Sequence, residues 1–480
     1  MRETIYPKDA KAQSPAPGTA LDAVRQNKRP DLLSDDAVFA TLNILEQTLK
    51  AVAQRGFFAA SSTMASGLRG LHKLHSHKRR AVADTLHQIV RQLRRLRALC
   101  EKKAPGAQPL LLAHLLDTDQ AHLVSAATFS SLVKRSHLDP STVLLRRTQL
   151  DGRLANLHLL TQAEQAAVLG EALSYPDWLA EAFVAEFGPL SARQILSAQN
   201  GRAPLTLRVH LGRSTPQQLI EQFAALRLAA QTTQFSPWGV LLSTHINVYQ
   251  LPGFAEGLFE VQDEGSQLIT ELCSPPKEAV VVDFCAGAGG KTLGLSAMLK
   301  NRGRVLALDV DEHKLQELKK RARRAGQTNI ETHCITDGAL PPRLLSQLGR
   351  GVSRVLVDAP CSGLGVLRRN PEARWRLAPS SVDELAVKQR RILARAAELV
   401  APQGLLVYAT CTLLRKENDA VVDEFLAQRP SWVSVPVKDL LGAARARLLG
   451  DGERLRILPT PDGPDGFFAA ALLRTGQPGH

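Results

Sequence analysis

No stretch of this 480-residue sequence is apolar for long enough to span a bilayer, so no membrane association is expected. The opening residues, MRETIYPKDAKAQSPAPGTA, lack the apolar core of a secretory signal. No export is expected, and the cytoplasm is the expected location. The six cysteines, at 100, 273, 285, 334, 361 and 411, have no close spacing, which argues against a disulfide framework and for free thiols. Histidines 72, 75 and 77 cluster, but no matching Cys/His set lies near them, so no metal is expected.

What is present is ordinary globular composition, 44% hydrophobic and 22% charged, at a length that suits two to four domains. The charge is unevenly placed. Net charge is +14, and residues 1–150 hold 23 Lys and Arg against 12 Asp and Glu. A basic front beside a near-neutral remainder suggests a polyanion-binding module joined to something else.

Residues 1–33 show little periodicity and are expected as a flexible arm. From Asp35 apolar residues recur at three- and four-residue spacing. In KRRAVADTLHQIVRQLRRLRAL, Val82, Leu86, Ile89, Val90, Leu93 and Leu96 share one face, with Arg91, Arg94, Arg95 and Arg97 around the polar side. The pattern predicts an amphipathic helix with a basic rim, in an all-α bundle running to about residue 145. Over roughly 155–250, SYPDWLAEAFVAEFG and SARQILSAQN read as helices and RAPLTLRVHLG as a strand, a small α/β module. From about 260 the strands AVVVDF, RVLALDV, ETHCITD, RVLVDAP and GLLVYATC alternate with helices. Continuous apolar strands of this kind predict a parallel sheet covered on both faces, and LRILPTPDGPDGFFAAALLR adds a final strand pair.

The segment CAGAGGKT after the first of those strands has two readings. A phosphate loop requires glycine five residues before Gly290, and position 285 is Cys. Asp358 could pose as its magnesium carboxylate. The second reading uses more residues. Gly287, Gly289 and Gly290 make a turn that backbone can bring close to a ligand. Asp283, Asp309, Asp337 and Asp358 end four successive strands, at the sheet edge where ligands of such folds bind. Asp309 is placed for ribose hydroxyls and Asp337 for an adenine amino group. S-adenosylmethionine fits this pattern; nicotinamide cofactors remain open.

Two cysteines narrow the chemistry. Cys361 follows the fourth strand in DAPCSGLGVLRRNPEARW and Cys411 follows the fifth in YATCTLLRKEN. Carbon 5 of a pyrimidine is not a nucleophile until a thiolate adds to carbon 6, and covalent catalysis of that kind explains thiols beside a methyl donor.

The stretches FEVQDEGSQL, DFCAGAGGKT, LALDVDEHKL, DAPCSGLGVLRRNPEARW, LVYATCTLLRKEND and DGFFAAALLR, within about residues 255–475, resemble the RsmB/NOP-type S-adenosylmethionine-dependent RNA cytosine-5 methyltransferases. SYPDWLAEAF and NGRAPLTLRV resemble the RNA-binding segment before the catalytic domain, and the basic helices resemble a NusB-like domain.

The resemblance implies an α/β fold: a Rossmann-like class I methyltransferase domain over 255–480, a small α/β RNA-binding module over 151–254, and a NusB-like helical domain over 34–150. It implies that Cys285, Ala286, Gly287, Ala288, Gly289, Gly290 and Lys291 cradle the methionine part of the cofactor. Asp309 would hold the ribose and Asp337 the adenine, while Asp358 would face cofactor and base. Cys411 would be the nucleophile, with Cys361 assisting release; Cys361 as nucleophile is the alternative. The substrate would be ribosomal or transfer RNA, and a monomer is expected. The rival function is a non-catalytic RNA-binding or assembly factor on the same fold. Two departures stand out: Ala-Gly-Ala-Gly-Gly replaces the usual Ala-Ala-Pro-Gly-Gly, and LPTPDGPDGFF lacks a His after its first Pro.

Overall fold

The structure, a computed structural model, describes residues 33–476 except 102–103, 245, 337–341, 343–345, 347 and 350. Residues 1–32 of the expected arm and Asp337 lie outside the described residues. The chain divides into two units. One runs up to Arg202 and includes Leu367–Pro379; the other comprises Ala203–Val366 and Ser380 onward.

The first unit is helical. Its helices include Asp35–Arg55, Ser76–Arg91, Leu93–Cys100, Ala107–Asp117, Pro140–Ala155, Gln162–Ala172 and Asp177–Ala198. The last is kinked at Gly188, whose φ of 73° and following Pro189 interrupt it. Caps follow the sequence: Asp139 accepts from the amides of Ser141 and Thr142, and Thr161 and Glu164 form a capping box. Ile44, Leu86, Ile89, Leu96 and Leu110 are among the side chains of its core.

The basic rim expected on one helix falls on the second and third of these helices, and much of it is turned inward. The segment is two helices broken at Gln92, and Arg91, Arg94 and Arg95 have partners within the unit. Arg95 is buried, with Nη2 at 2.7 Å from Asp117 and 2.9 Å from Asp151. Arg91 is buried and donates to the Arg368 carbonyl at 3.1 Å. Arg94 donates to the Tyr175 carbonyl at 2.6 Å and pairs with Asp177. Arg97 is half-buried. The physical reason is supply: neighbouring helices bring carboxylates and open carbonyls, which satisfy a guanidinium as well as solvent does.

The second unit contains two sheets. β1 (Leu205–Val209), β2 (Ala230–Thr232), β3 (Gly239–Leu242) and β4 (Phe259–Val261) form an antiparallel sheet in the order β2-β3-β1-β4. The helix Pro216–Ala225 packs on it, with Thr215 and Gln218 as a capping box.

The large sheet has β5 (Val280–Asp283), β6 (Arg304–Asp309), β7 (Ile330–Cys334), β8 (Val352–Asp358) and β9 (Val400–Thr410) in parallel, ordered β9-β8-β5-β6-β7. β12 (Phe467–Arg474) pairs antiparallel with β9 and carries β10 (Trp432–Val435) and β11 (Leu455–Ile457). Alternate residues of each strand feed opposite faces. Val282, Leu306, Val355 and Leu406 join one core; Val281, Val305, Leu356 and Leu405 join the other. Each such buried aliphatic chain contributes about 2 kcal/mol. This is the parallel sheet that the alternating pattern implies, in the Rossmann-like arrangement that the resemblance implies. Strand order reverses between β5 and β8, and a ligand crevice is expected at that carboxyl edge.

Candidate active site

Four strand ends and their loops meet at that edge. After β5 the chain turns at Gly287 (φ 55°) and Gly289 (φ 84°) into the helix Gly290–Met298. A side chain at 289 would meet Leu318 Cγ at 2.4 Å, so the loop packs down where only glycine fits. A Cβ at 287 would point into open space. The Gly287 amide donates to Asp309 Oδ2 at 2.7 Å, and Asp311 donates to Oδ1 at 2.9 Å. These bonds fix the Asp309 carboxylate beside the turn.

Ser266, Asp283, Cys285, Ala286, Gly287, Ala288, Gly290, Lys291 and Asp358 line a cavity of about 210 Å³. Asp283 is buried; Thr292 donates to one of its oxygens at 2.7 Å, and the other has no hydrogen-bond partner. Burial pushes its carboxyl up to about 7, the Thr292 bond opposes this, and Asp358 adds to it. Burial likewise pushes the Cys285 thiol up, so this half-buried cysteine is a cavity wall.

Lys291 Nζ stands 2.6 Å from Asp358 Oδ2 and 5.9 Å from the centre of the Phe467 ring. Burial works against the ammonium, but Asp358, with contributions from Cys411 and Asp283, outweighs it and raises Lys291 above its ordinary range.

β8 and β9 are in register, with Asp358 opposite Ala409. Their extensions bring Cys361 Sγ and Cys411 Sγ to 3.4 Å, each half-buried. The Cys361 thiol is pushed well above its usual range, first by its hydrogen bond with Cys411, then by burial and the charges of Cys411, Glu417 and Asp358.

Ten of the residues singled out in the sequence gather here: Cys285 to Lys291, with Asp358, Cys361 and Cys411. Asp309 joins them through Gly287. Asp337 lies outside the described residues. His72, His75 and His77 are exposed, and among the described residues no group of His, Cys, Asp or Glu is arranged to hold a metal ion. No described helix is long and apolar enough to cross a membrane.

Other side chains here carry weaker sequence signals. Arg208 of β1 is buried and donates to Gln262 and to the carbonyl of Gly290, which ties the small sheet to the glycine loop. Burial lowers its guanidinium to about 10. Glu260 of β4 holds Arg321 and Arg324 of the helix after β6. The buried carboxylate of Glu417 accepts from Ser362 and Thr412. The sequence offers one hint for these: charged residues inside apolar or strand-forming stretches, as in LTLRV and FEV.

A nucleoside donor with an amino-acid tail fits this cavity. The orphaned Asp283 oxygen can receive an ammonium, and the open space at Gly287 admits ligand where a Cβ would stand. The helix start at Gly290 offers amides to a carboxylate.

Known proteins agree with this fold. Residues 270–473 match the family described as 16S rRNA methyltransferase RsmB/F, and 175–249 match its ferredoxin-like domain. A probable ribosomal RNA small subunit methyltransferase B of Synechocystis is 32% identical over 84% of this chain and 93% of its own length. The ribosomal RNA small subunit methyltransferase B of Sodalis glossinidius is 30% identical over 80% of this chain and 86% of its own. The crystal structure of PH0851 superposes with a TM-score of 0.67 at 23% identity, covering 91% of this chain and 98% of that one.

Proposed function

We propose, because this chain belongs to the RsmB/F family of ribosomal RNA methyltransferases, that it methylates carbon 5 of a cytidine in small-subunit ribosomal RNA through a covalent bond to Cys411. The observation that carries this reading is the pair of thiols 3.4 Å apart beside the Lys291–Asp358 ion pair. A transferase acting on an exocyclic amine needs no thiol; carbon 5 of cytosine does.

The cofactor is S-adenosylmethionine, which supplies an electrophilic methyl group. Asp283 and the amides at the start of the helix Gly290–Met298 would hold its amino-acid end, and Asp309 its ribose. Lys291 places a cation near Cys411, whose thiolate is the attacking form. Cys411 Sγ bonds to carbon 6 while the electrons of the 5,6 double bond move to carbon 5. Asp358 accepts a hydrogen bond from the exocyclic amino group of the base, which orients the ring, and the Lys291 cation beside it offsets the negative charge that thiolate addition builds there. Carbon 5 then takes the methyl group. Solvent water held beside the adduct by the Cys361 thiol takes the carbon 5 proton; the electrons of that C–H bond restore the double bond and expel the Cys411 thiolate. Arg208 keeps the glycine loop in place by its bond to Gly290 and acts by position.

The test is methyl transfer from methyl-labelled cofactor to small-subunit ribosomal RNA, followed by digestion and nucleoside mass spectrometry. The label is expected in 5-methylcytidine. Label in any other nucleoside, or none, contradicts the proposal.

A further inference from the structure

Both thiols sit on loops, and their 3.4 Å spacing needs a restraint. Glu417, in the turn Arg415–Glu417, is completely buried. Its Oε1 accepts from the Ser362 amide at 2.9 Å and from Gln389 Nε2 at 3.0 Å. Its Oε2 accepts from Thr412 Oγ1 at 3.1 Å and from the Ser362 hydroxyl. Ser362 follows Cys361, and Thr412 follows Cys411. Their hydroxyls lie 2.8 Å apart. Gln389 also donates to the carbonyl of Pro360, the residue before Cys361, at 3.0 Å. One carboxylate thus binds the residue after each thiol, and through Gln389 the residue before one of them.

Holding two loops does not by itself require a charge. All four donors are neutral groups, and burying a carboxylate among neutral donors costs several kcal/mol before its hydrogen bonds offset it. The charge has a consequence at Cys361, where Glu417 is among the groups that disfavour a thiolate. On the other side Lys291 lies near Cys411. Two chemically identical thiols in contact therefore have different charged neighbours, Glu417 for Cys361 and Lys291 for Cys411.

We propose that Glu417 is a positioning residue that clamps both thiol loops and sets a buried negative charge against the Cys361 loop, so that Cys411 is the sulfur that attacks. This rests on the reading of Cys411 as nucleophile given above, but it can be tested without RNA. The full-length protein is exposed to iodoacetamide pulses from pH 6 to 10, and alkylation of each cysteine is read by peptide mass spectrometry.

In the wild type Cys411 is expected to react at lower pH than Cys361. In Glu417→Gln the Cys361 midpoint is expected to fall by about one unit, so that below it Cys361 reacts about tenfold faster. Methyl transfer by that variant should lose about a hundredfold in kcat, with cofactor Kd unchanged. Rescue is expected from Glu417→Asp, which keeps the charge and should hold the Cys361 midpoint near the wild-type value. An unchanged Cys361 profile in a Glu417→Gln protein that still binds cofactor would overturn the proposal. If that variant fails to fold, the wild-type order of reactivity still decides: Cys361 reacting first overturns it. Should no 5-methylcytidine form, the proposed function falls, while the alkylation profiles still decide the role of Glu417.

Discussion

Asp283 is the side chain whose chemistry changes most between sequence and structure. In the sequence it is one of four strand-end aspartates. In the fold it is a buried acid with one oxygen on Thr292 and one unpartnered, its carboxyl raised to about 7. A raised acid binds its proton more tightly folded than unfolded. Its contribution to stability is present at acid pH and is lost as pH rises from the unfolded value, 3.8, through about 7. An ammonium in the cavity reverses this, because it needs the ionised form. Affinity for S-adenosylhomocysteine is therefore expected to rise between pH 5.5 and 7, by up to about tenfold per unit. Asp283→Asn should flatten that rise, as read by calorimetry. Identical pH dependence in wild type and variant would contradict this account of the site. Spacing pointed to the glycines, Asp283, Asp309, Asp358 and both thiols, which the structure brings to one sheet edge, while Asp337 lies outside the described residues. It could not rank the acids, because their difference is burial and unmet hydrogen bonds, and these depend on packing from elsewhere in the chain.

At the scale of elements, the apolar strands and the helices between them were legible, since period and length are local properties. β4 and β10 were not: FEV and WVSV are too short to show a pattern and exist because β1 and β12 offer edges to pair with. The helices over Ser76–Cys100 give the opposite lesson. Their apolar face was read correctly, but a charged face at helical spacing looks the same whether water or a carboxylate meets it. Arg95 meets Asp117, whose side chain is 8% exposed. Arg95→Met should therefore lower stability by about 3 kcal/mol, because it leaves that acid only the longer contact with Arg147, at 3.8 Å. RNA affinity should keep its salt dependence. Denaturant unfolding and filter binding across salt read the two effects. Unchanged stability with a flattened salt slope would return these arginines to an RNA-binding role.

For the whole molecule, the uneven charge of the sequence is partly answered inside the first unit, where Arg91, Arg94 and Arg95 meet protein partners. The residues of the proposed methyl-transfer site lie in the second unit, on loops after β5, β6, β8 and β9. The first unit contains Arg374, fully buried and stacked 3.9 Å from the centre of the Tyr175 ring. Its helix belongs to a segment that follows the Cys361 loop in sequence. The central claim concerns which sulfur bonds to the base. Incubation of Cys361→Ala and Cys411→Ala proteins with small-subunit ribosomal RNA and cofactor, resolved on a denaturing gel, tests it directly. Cys361→Ala should accumulate an RNA-linked band that withstands denaturation, because attack proceeds and release does not. Cys411→Ala should give none. A stable adduct in Cys411→Ala and none in Cys361→Ala would contradict the account and make Cys361 the nucleophile.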